Sequence, residues 1–150
     1  MILPDVNVLV HAFRADSSNH GPCRAWLETV VCGEPRFGIA PQVLSVLLRV
    51  VTHHRIFVQP SPFSEALAFC DALLGQSHCV VVQAGARHWP IFVELCRAAD
   101  ARGNLVADAW FAALAIEWGC EWITLDRDYA RFPGLRWRPP ADDEGRGRLR

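Results

Sequence analysis

The sequence contains no lysine, and all fifteen of its basic residues are arginine. This absence excludes mechanisms that need a catalytic lysine, including the site of a phosphoacceptor receiver domain. The net charge is −1, so the protein does not have the excess of positive charge that is typical of proteins binding nucleic acid through a basic surface. The arginines nevertheless supply planar guanidinium groups, which can bind a phosphate through two hydrogen bonds.

Long apolar runs and paired cysteine motifs are missing as well. No uninterrupted apolar stretch reaches the roughly 18 residues that a membrane-spanning helix needs. Charged and polar residues such as Asp5, His11 and Arg14 interrupt the start of the chain, where a secretory signal needs a continuous apolar region. We therefore expect a cytoplasmic protein with no membrane segment. Its six cysteines include no CxxC motif and are expected to stay reduced.

The length and composition of the chain predict one domain. At 150 residues, 51% of them hydrophobic, the chain can bury an ordinary core but has no room for a second domain. We place this domain at residues 1–140. Residues 141–150 are polar and contain glycine, and we expect them to form a flexible tail.

Short β-like runs alternate with helical runs along the chain. Strands separated by helices indicate a parallel sheet with helices on both faces. The predicted strands are residues 1–4, 36–40, 79–83 and 121–125, with 135–137 as a candidate fifth. The predicted helices are residues 8–14, 20–32, 42–53, 62–75, 89–101 and 105–118.

Four aspartates lie at or near the ends of these predicted elements: Asp5, Asp108, Asp126 and Asp128. The carboxyl ends of parallel strands meet at one edge of a sheet, where such folds place their ligands. Carboxylates about 4 Å apart repel by roughly 4 kcal/mol per pair at an effective dielectric near 20, unless protons or a cation neutralise them. The sequence therefore predicts a Mg²⁺ or Mn²⁺ site at this edge.

Two further polar residues belong to the same predicted site. The alternation of side chains along a strand places Asn7 beside Asp5, and Thr124 beside Asp126. Taken singly, each aspartate has a structural interpretation, because helix caps and turns are the commonest positions for this residue. Their joint order and context favour a site.

Four segments together resemble a known family. They are residues 5–7 (DVN), 44–53 (LSVLLRVVTH), 104–109 (NLVADA) and 124–135 (TLDRDYARFPGL). They look like a PIN-domain ribonuclease and, more narrowly, like the VapC toxin of a VapBC toxin–antitoxin pair.

The resemblance implies a three-layer α/β/α fold with a central parallel sheet. It also implies RNA cleavage that depends on Mg²⁺ or Mn²⁺, a homodimer, and neutralisation by a cognate VapB-type antitoxin. By motif match, Asp5 and Asp108 are expected to bind the metal, and Asp126 is expected to be a further catalytic acid. Asp126 or Asp128 would position the attacking water.

One position departs from the family pattern. The family usually carries a glutamate in the middle helix, and the matching residue here is Val46. Valine cannot bind a cation, so two functions stay open: an active ribonuclease, or a catalytically weakened or inactive PIN-fold protein that binds RNA or a partner. Arg49, Arg127 and Arg131 are candidates for binding RNA phosphates, with exposed surface or ion pairing as the alternative.

Overall fold

The computed structural model describes residues 1–141. The flexible tail predicted for residues 141–150 therefore lies outside the described part of the chain, apart from its first residue. The strands are β1 (Ile2–Pro4), β2 (Phe37–Ile39), β3 (Cys79–Val81), β4 (Glu121–Ile123) and β5 (Trp137–Arg138). The helices are α1 (Val6–Phe13), α2 (His20–Cys32), α3 (Pro41–Val51), α4 (Phe63–Leu74), α5 (His88–Ala98) and α6 (Asn104–Trp118), with a 3₁₀ helix at Arg127–Arg131.

The five strands form one parallel sheet in the order β3-β2-β1-β4-β5. Its centre is β1, where Ile2 pairs with Phe37 of β2 on one side and with Glu121 of β4 on the other. Six α-helices flank the sheet in the described chain, which confirms the predicted α/β architecture. The candidate fifth strand exists, but it begins at Trp137 rather than at residue 135.

The sequence placed several element boundaries wrongly by one to three residues. Helix α1 begins at Val6, not at residue 8, because the side chain of Asp5 accepts a hydrogen bond from the backbone N–H of Val6 and caps the helix. The strands β1 to β4 are all three residues long: β1 ends at Pro4 as predicted, while β2, β3 and β4 stop one or two residues before their predicted ends. At β4 the chain leaves the strand at Thr124, whose side chain instead makes local and long-range hydrogen bonds.

Helix α6 is almost entirely apolar because it is buried on more than one side. Its fully buried residues are Ala109, Ala112, Ala113, Leu114 and Ala115. Trp110 is half-buried and packs against His88 and Phe92 of α5. The indole N–H of Trp110 donates to Oε1 of Gln42 at 2.8 Å and so ties α6 to α3. Packing against α5 therefore accounts for much of the apolar surface of this helix.

Two observations concern the cysteines and the length of the helices. All six cysteines are unpaired thiols, and Cys23, Cys70 and Cys120 are buried. Within residues 1–141, no helix combines the length and apolar character needed to cross a membrane.

Candidate active site

Three of the predicted acidic residues line one pocket at the carboxyl edge of the sheet. Asp5 directly follows β1, Asp126 lies just beyond β4, and Asp108 is one turn into α6. The pocket has a volume of about 340 Å³. Its lining consists of Asp5, Val6, Asn7, Val10, His11, Val50, Asp108 and Asp126.

Thr124 is the fully buried centre of a hydrogen-bond network beneath this pocket. Its hydroxyl donates to Oδ2 of Asp5 at 2.7 Å. The hydroxyl oxygen of Thr124 in turn accepts a hydrogen bond from Nδ2 of Asn7 at 3.1 Å and another from the backbone N–H of Asp126 at 3.0 Å. A hydroxyl has one proton and two lone pairs, so all three are used. The network fixes Thr124 in one orientation and joins the end of β4 to the end of β1.

Asn7 braces Asp5 in this network. Its Nδ2 donates to Oδ2 of Asp5 and to Oγ1 of Thr124, both at 3.1 Å, while its Oδ1 accepts from the backbone N–H of Leu125 at 3.2 Å. Both the nitrogen and the oxygen of the Asn7 side-chain amide are therefore hydrogen-bonded within the protein, and the oxygen bonds to the backbone of Leu125. This geometry suits a supporting residue that orients Asp5.

Asp5 is only 6% exposed, and its burial raises the pKa of the carboxyl group to about 6. Hydrogen bonds from Thr124 and from the Val6 N–H oppose this rise, while repulsion from Asp108 and Asp126 adds to it. A carboxylate pair that shares a pocket repels in this way when no cation is present. The electrostatic environment of Asp5 therefore favours the binding of either a proton or a metal ion.

Asp108 faces a buried tyrosine. The hydroxyl of Tyr129, which is 1% exposed, lies 3.4 Å from Oδ1 of Asp108 and donates to it. Burial and repulsion from Asp126 raise the pKa of Asp108, and the Tyr129 hydrogen bond partly offsets the rise. Burial beside three carboxylates also raises the pKa of Tyr129, so its phenol stays protonated as a donor.

Asp126 and Asp128 occupy different positions. Asp126 lines the pocket and also caps the 3₁₀ helix, since its Oδ1 accepts from the backbone N–H of Asp128 at 2.9 Å. Asp126 thus forms the turn and also lines the pocket, and its role in a functional site stays a prediction. Asp128 is exposed and is not part of the lining, yet it is close enough to Asp108 to raise the pKa of that residue.

The donor set fits a hard divalent cation that keeps part of its water shell. Within residues 1–141, no three His, Cys, Asp or Glu side chains lie close enough together to hold a metal ion by themselves. Mg²⁺ is often bound through one or two carboxylates together with waters and phosphates. Asp5 already accepts three hydrogen bonds and Asp108 accepts one, so each carboxylate keeps free lone pairs for a cation.

Val46 lies on the same face of α3 as a residue that lines the pocket. Val50, one turn further along α3, belongs to the pocket lining, and residues four apart share a helix face. Val46 is half-buried and is not itself part of the lining. The pocket wall that α3 supplies is therefore apolar.

The three arginines predicted to bind RNA lie outside the pocket lining. Arg49, Arg127 and Arg131 are all exposed. None of them forms an ion pair with another residue in the described part of the chain. The alternative of pairing with acidic residues thus finds no support within residues 1–141.

His11 is a pocket residue that sequence reasoning missed. It lines the pocket, its Nδ1 contacts the hydroxyl of Ser17, and burial lowers its pKa. Its carbonyl accepts from the ring of His20. The spacing held a signal, because His11 follows Asn7 by four residues and so lies on the same face of α1.

Comparison with known proteins places this chain in a family. A model of the PIN domain matches residues 2–135. The chain is 41% identical over 144 residues to the VapC ribonuclease Mb2897 of Mycobacterium bovis, a match that covers 96% of this chain and 98% of the relative. It is also 41% identical over 141 residues to ribonuclease VapC25 of Mycobacterium tuberculosis, covering 93% and 99%.

The protein therefore belongs to the PIN-domain family. Within that family it belongs with the VapC ribonucleases, as its four motif segments predict.

Solved structures agree on the fold. VapBC2 of Rickettsia felis, bound to a fragment of promoter DNA, matches with a TM-score of 0.68 at 19% identity, covering 93% of this chain and 98% of that one. VapC20 of Mycobacterium tuberculosis, described as a Sarcin-Ricin loop cleaving toxin, matches with a TM-score of 0.66 at 17% identity, covering 91% and 99%.

Proposed function

We propose that this protein is a metal-dependent endoribonuclease and the toxin component of a type II toxin–antitoxin system. The observation that carries the proposal is the convergence of Asp5, Asp108 and Asp126 on one pocket, in a chain that belongs with the VapC ribonucleases. Divalent-metal dependence is typical of this family, and we propose Mg²⁺ or Mn²⁺ as the ion because every candidate ligand is a hard oxygen donor.

The acidic residues and the two residues that support them have separate tasks in this proposal. Asp5 and Asp108 would hold the metal ion, which would supply Lewis-acid chemistry and activate water at the site. Asp126, or the exposed Asp128, would orient the attacking water and accept its proton. Thr124 and Asn7 hold the Asp5 carboxylate in place through the network beneath it.

The alternative is a catalytically weakened or inactive PIN-fold protein that binds RNA or a partner. The observation behind it is Val46, which leaves the α3 wall without the glutamate that is usual in the family. Against it stand three pocket acids and 41% identity to ribonucleases over nearly the whole chain. We therefore favour the enzyme.

A VapB-type antitoxin is the partner that the comparisons support. The structural neighbours include VapBC complexes from Rickettsia felis and nontypeable Haemophilus influenzae. We further propose a homodimer, a cytoplasmic location, and an RNA substrate whose phosphates contact Arg49, Arg127 or Arg131. In support, all three arginines are exposed and unpaired within residues 1–141.

An RNA-cleavage assay with purified protein tests the function. The protein is incubated with total bacterial RNA in Mn²⁺, in Mg²⁺ and in EDTA. We expect discrete fragments with metal, none with EDTA, and none with Asp108→Asn. Asp71→Asn makes the same chemical change at an exposed position on α4. This variant is the matched control and should cleave RNA normally.

Two results would contradict the enzyme. Cleavage that persists in EDTA and in Asp108→Asn would come from a contaminant or another site. A wild-type protein that binds RNA but cuts none, in either metal, would support the inactive alternative.

A further inference from the structure

A second cavity, with a volume of about 500 Å³, lies at the opposite edge of the sheet from the acidic pocket. The first residues of β1, β2 and β4, which are Ile2, Phe37 and Glu121, are register partners, and all three line this cavity. It is therefore at the amino edge of the sheet, while Asp5 and Asp126 lie beyond the carboxyl ends of the strands. The proposed nuclease mechanism makes no use of it.

One side of this cavity is apolar. Helix α2 supplies Trp26 and Val30, the segment before β2 supplies Pro35, and Phe37 closes the wall. Trp26 and Phe37 are anchored in the core, with exposures of 3% and 1%. A rigid wall of this kind suits the planar or apolar body of a small molecule, and the volume is in the range of ordinary ligand sites.

The other side of the cavity is cationic. Arg36, Arg136 and Arg138 line it, against the single acidic residue Glu121 among the lining residues. Nε of Arg138 contacts Oε1 of Glu121 at 2.6 Å, so these two charges offset each other. The positive charge of the cavity then comes from Arg36 and Arg136.

Arg36 and Arg136 remain able to bind an anion. Neither forms an ion pair with an acidic residue within residues 1–141. One end of Arg136 is fixed, because its Nη2 donates to the carbonyl of Gly119 at 2.7 Å. Its remaining N–H groups are available, and the planar guanidinium fork matches the oxygens of a phosphate.

From this combination we infer that the amino-edge cavity binds a nucleotide, with the phosphate on Arg36 and Arg136 and the base or sugar against the apolar surface that Val30 and Pro35 expose. The phosphate accounts for the two arginines that have no acidic partner within residues 1–141, and the organic body accounts for the apolar side and the volume. The site is separate from the metal site. Its ligand is either a free nucleotide or the 5′-phosphorylated end of an RNA strand, which share this chemistry.

Calorimetric titration of the full chain with AMP tests the inference. EDTA is present throughout, so no metal can bridge phosphate to the acidic pocket, and the result is independent of the nuclease proposal. We expect binding of one AMP per chain. Adenosine and inorganic phosphate should each bind at least about tenfold more weakly, because each lacks one half of the contacts. Tighter binding of the dinucleotide pApA than of AMP would identify a strand end, and equal binding a free nucleotide.

Variants assign the binding to this cavity. Arg36→Ala and Arg136→Ala should each weaken AMP binding by about tenfold or more, as expected when one charge-assisted contact is lost. Arg97→Ala on α5, an exposed arginine outside the cavity lining, should bind as the wild type does, and so should Asp108→Asn. The absence of AMP binding, equal binding of adenosine or phosphate, or binding that survives both cavity variants would overturn the inference.

Discussion

Thr124 donates a hydrogen bond of 2.7 Å to Oδ2 of Asp5, across a separation of 119 residues in the chain. This buried contact ties the end of β4 to the residue that caps α1, and it holds the carboxylate at the pocket. The same hydroxyl accepts from Asn7 and from the backbone of Asp126. Three of the proposed site residues therefore depend on one oxygen atom.

Replacing Thr124 by valine keeps the shape of the side chain and removes that oxygen. The donors on Asn7 and Asp126 would lose an acceptor in a buried place, which costs about 1–3 kcal/mol per unsatisfied group. We expect a lower free energy of unfolding in urea and weaker Mn²⁺-dependent RNA cleavage. Thr124→Ser keeps the hydroxyl and is the matched control. If the valine variant equals the serine variant in both measurements, the network does not position Asp5.

The raised pKa of Asp5 predicts how stability depends on pH without metal. Its pKa is about 6 in the folded protein and near 3.8 in the unfolded chain, so the folded state binds the proton more tightly. The free energy of unfolding should therefore fall as pH rises from about 4 to about 6 and stay low above that, by at most about 3 kcal/mol from this group. Urea denaturation in EDTA at pH 5, 6 and 7 measures the slope.

Asp5→Asn isolates this effect from other titrating groups. His11 has a lowered pKa and contributes the opposite slope, since the unfolded chain then binds its proton more tightly. Subtracting the variant's curve from the wild-type curve removes the His11 contribution. A difference that is flat between pH 4 and 7 would show that Asp5 titrates at its ordinary value. Saturating Mg²⁺ should raise wild-type stability above pH 6 and leave Asp5→Asn nearly unchanged.

The hydrogen bond from Tyr129 is predicted to lower the pKa of Asp108. In Tyr129→Phe the ring packing is kept, but Asp108 loses a donor at 3.4 Å, so the pKa of Asp108 should rise further. A bond of this length is worth about 0.5–1.5 kcal/mol at most, so Mn²⁺ affinity at pH 7 should fall by about two- to tenfold. Phe132→Leu, which disturbs the neighbouring ring without touching a carboxylate, controls for packing. Identical Mn²⁺ affinity in Tyr129→Phe and wild type would exclude this role.

The parallel sheet and the grouping of aspartates at its edge could be predicted from the sequence because both depend on local patterns. Apolar runs separated by helical periods indicated the strands, and the edge rule for parallel sheets then brought Asp5 and Asp126 together. Asp108 was harder, since it lies on a helix, and there the family motif supplied the assignment. The convergence of these three side chains on one pocket is the part of the site that the sequence anticipated best.

The remaining features depend on contacts between distant residues. Nothing local to Asn7 indicates that its amide oxygen accepts from Leu125, 118 residues away. The same holds for the Trp110–Gln42 contact and for the cavity at the amino edge, which brings arginines from near β2 and β5 together. The early start of α1 was a different kind of error. Aspartate at that position both caps a helix and lines the pocket, and the strand pattern alone does not reveal the cap.

Val46 gives the sharpest test of how the site relates to the family pattern. Val46→Glu would add a hard oxygen ligand and a negative charge on the face of α3 that ends at Val50 in the pocket wall. We expect higher Mn²⁺ affinity and faster RNA cleavage. Without metal, a half-buried carboxylate near Asp5 and Asp108 would lower the melting temperature, and Mg²⁺ or Mn²⁺ should recover the loss.

A control for Val46→Glu separates the metal effect from the effect of adding charge. Val93→Glu makes the same change at a half-buried position on α5 that does not belong to the pocket lining. It should lower the melting temperature with and without metal and leave cleavage unchanged. If Val46→Glu behaves like Val93→Glu, with unaltered Mn²⁺ binding and cleavage, the side chain at position 46 does not reach the metal and the alignment of α3 with the family glutamate is wrong. Faster cleavage in Val46→Glu alone would show that the wild-type enzyme works with an incomplete set of acids.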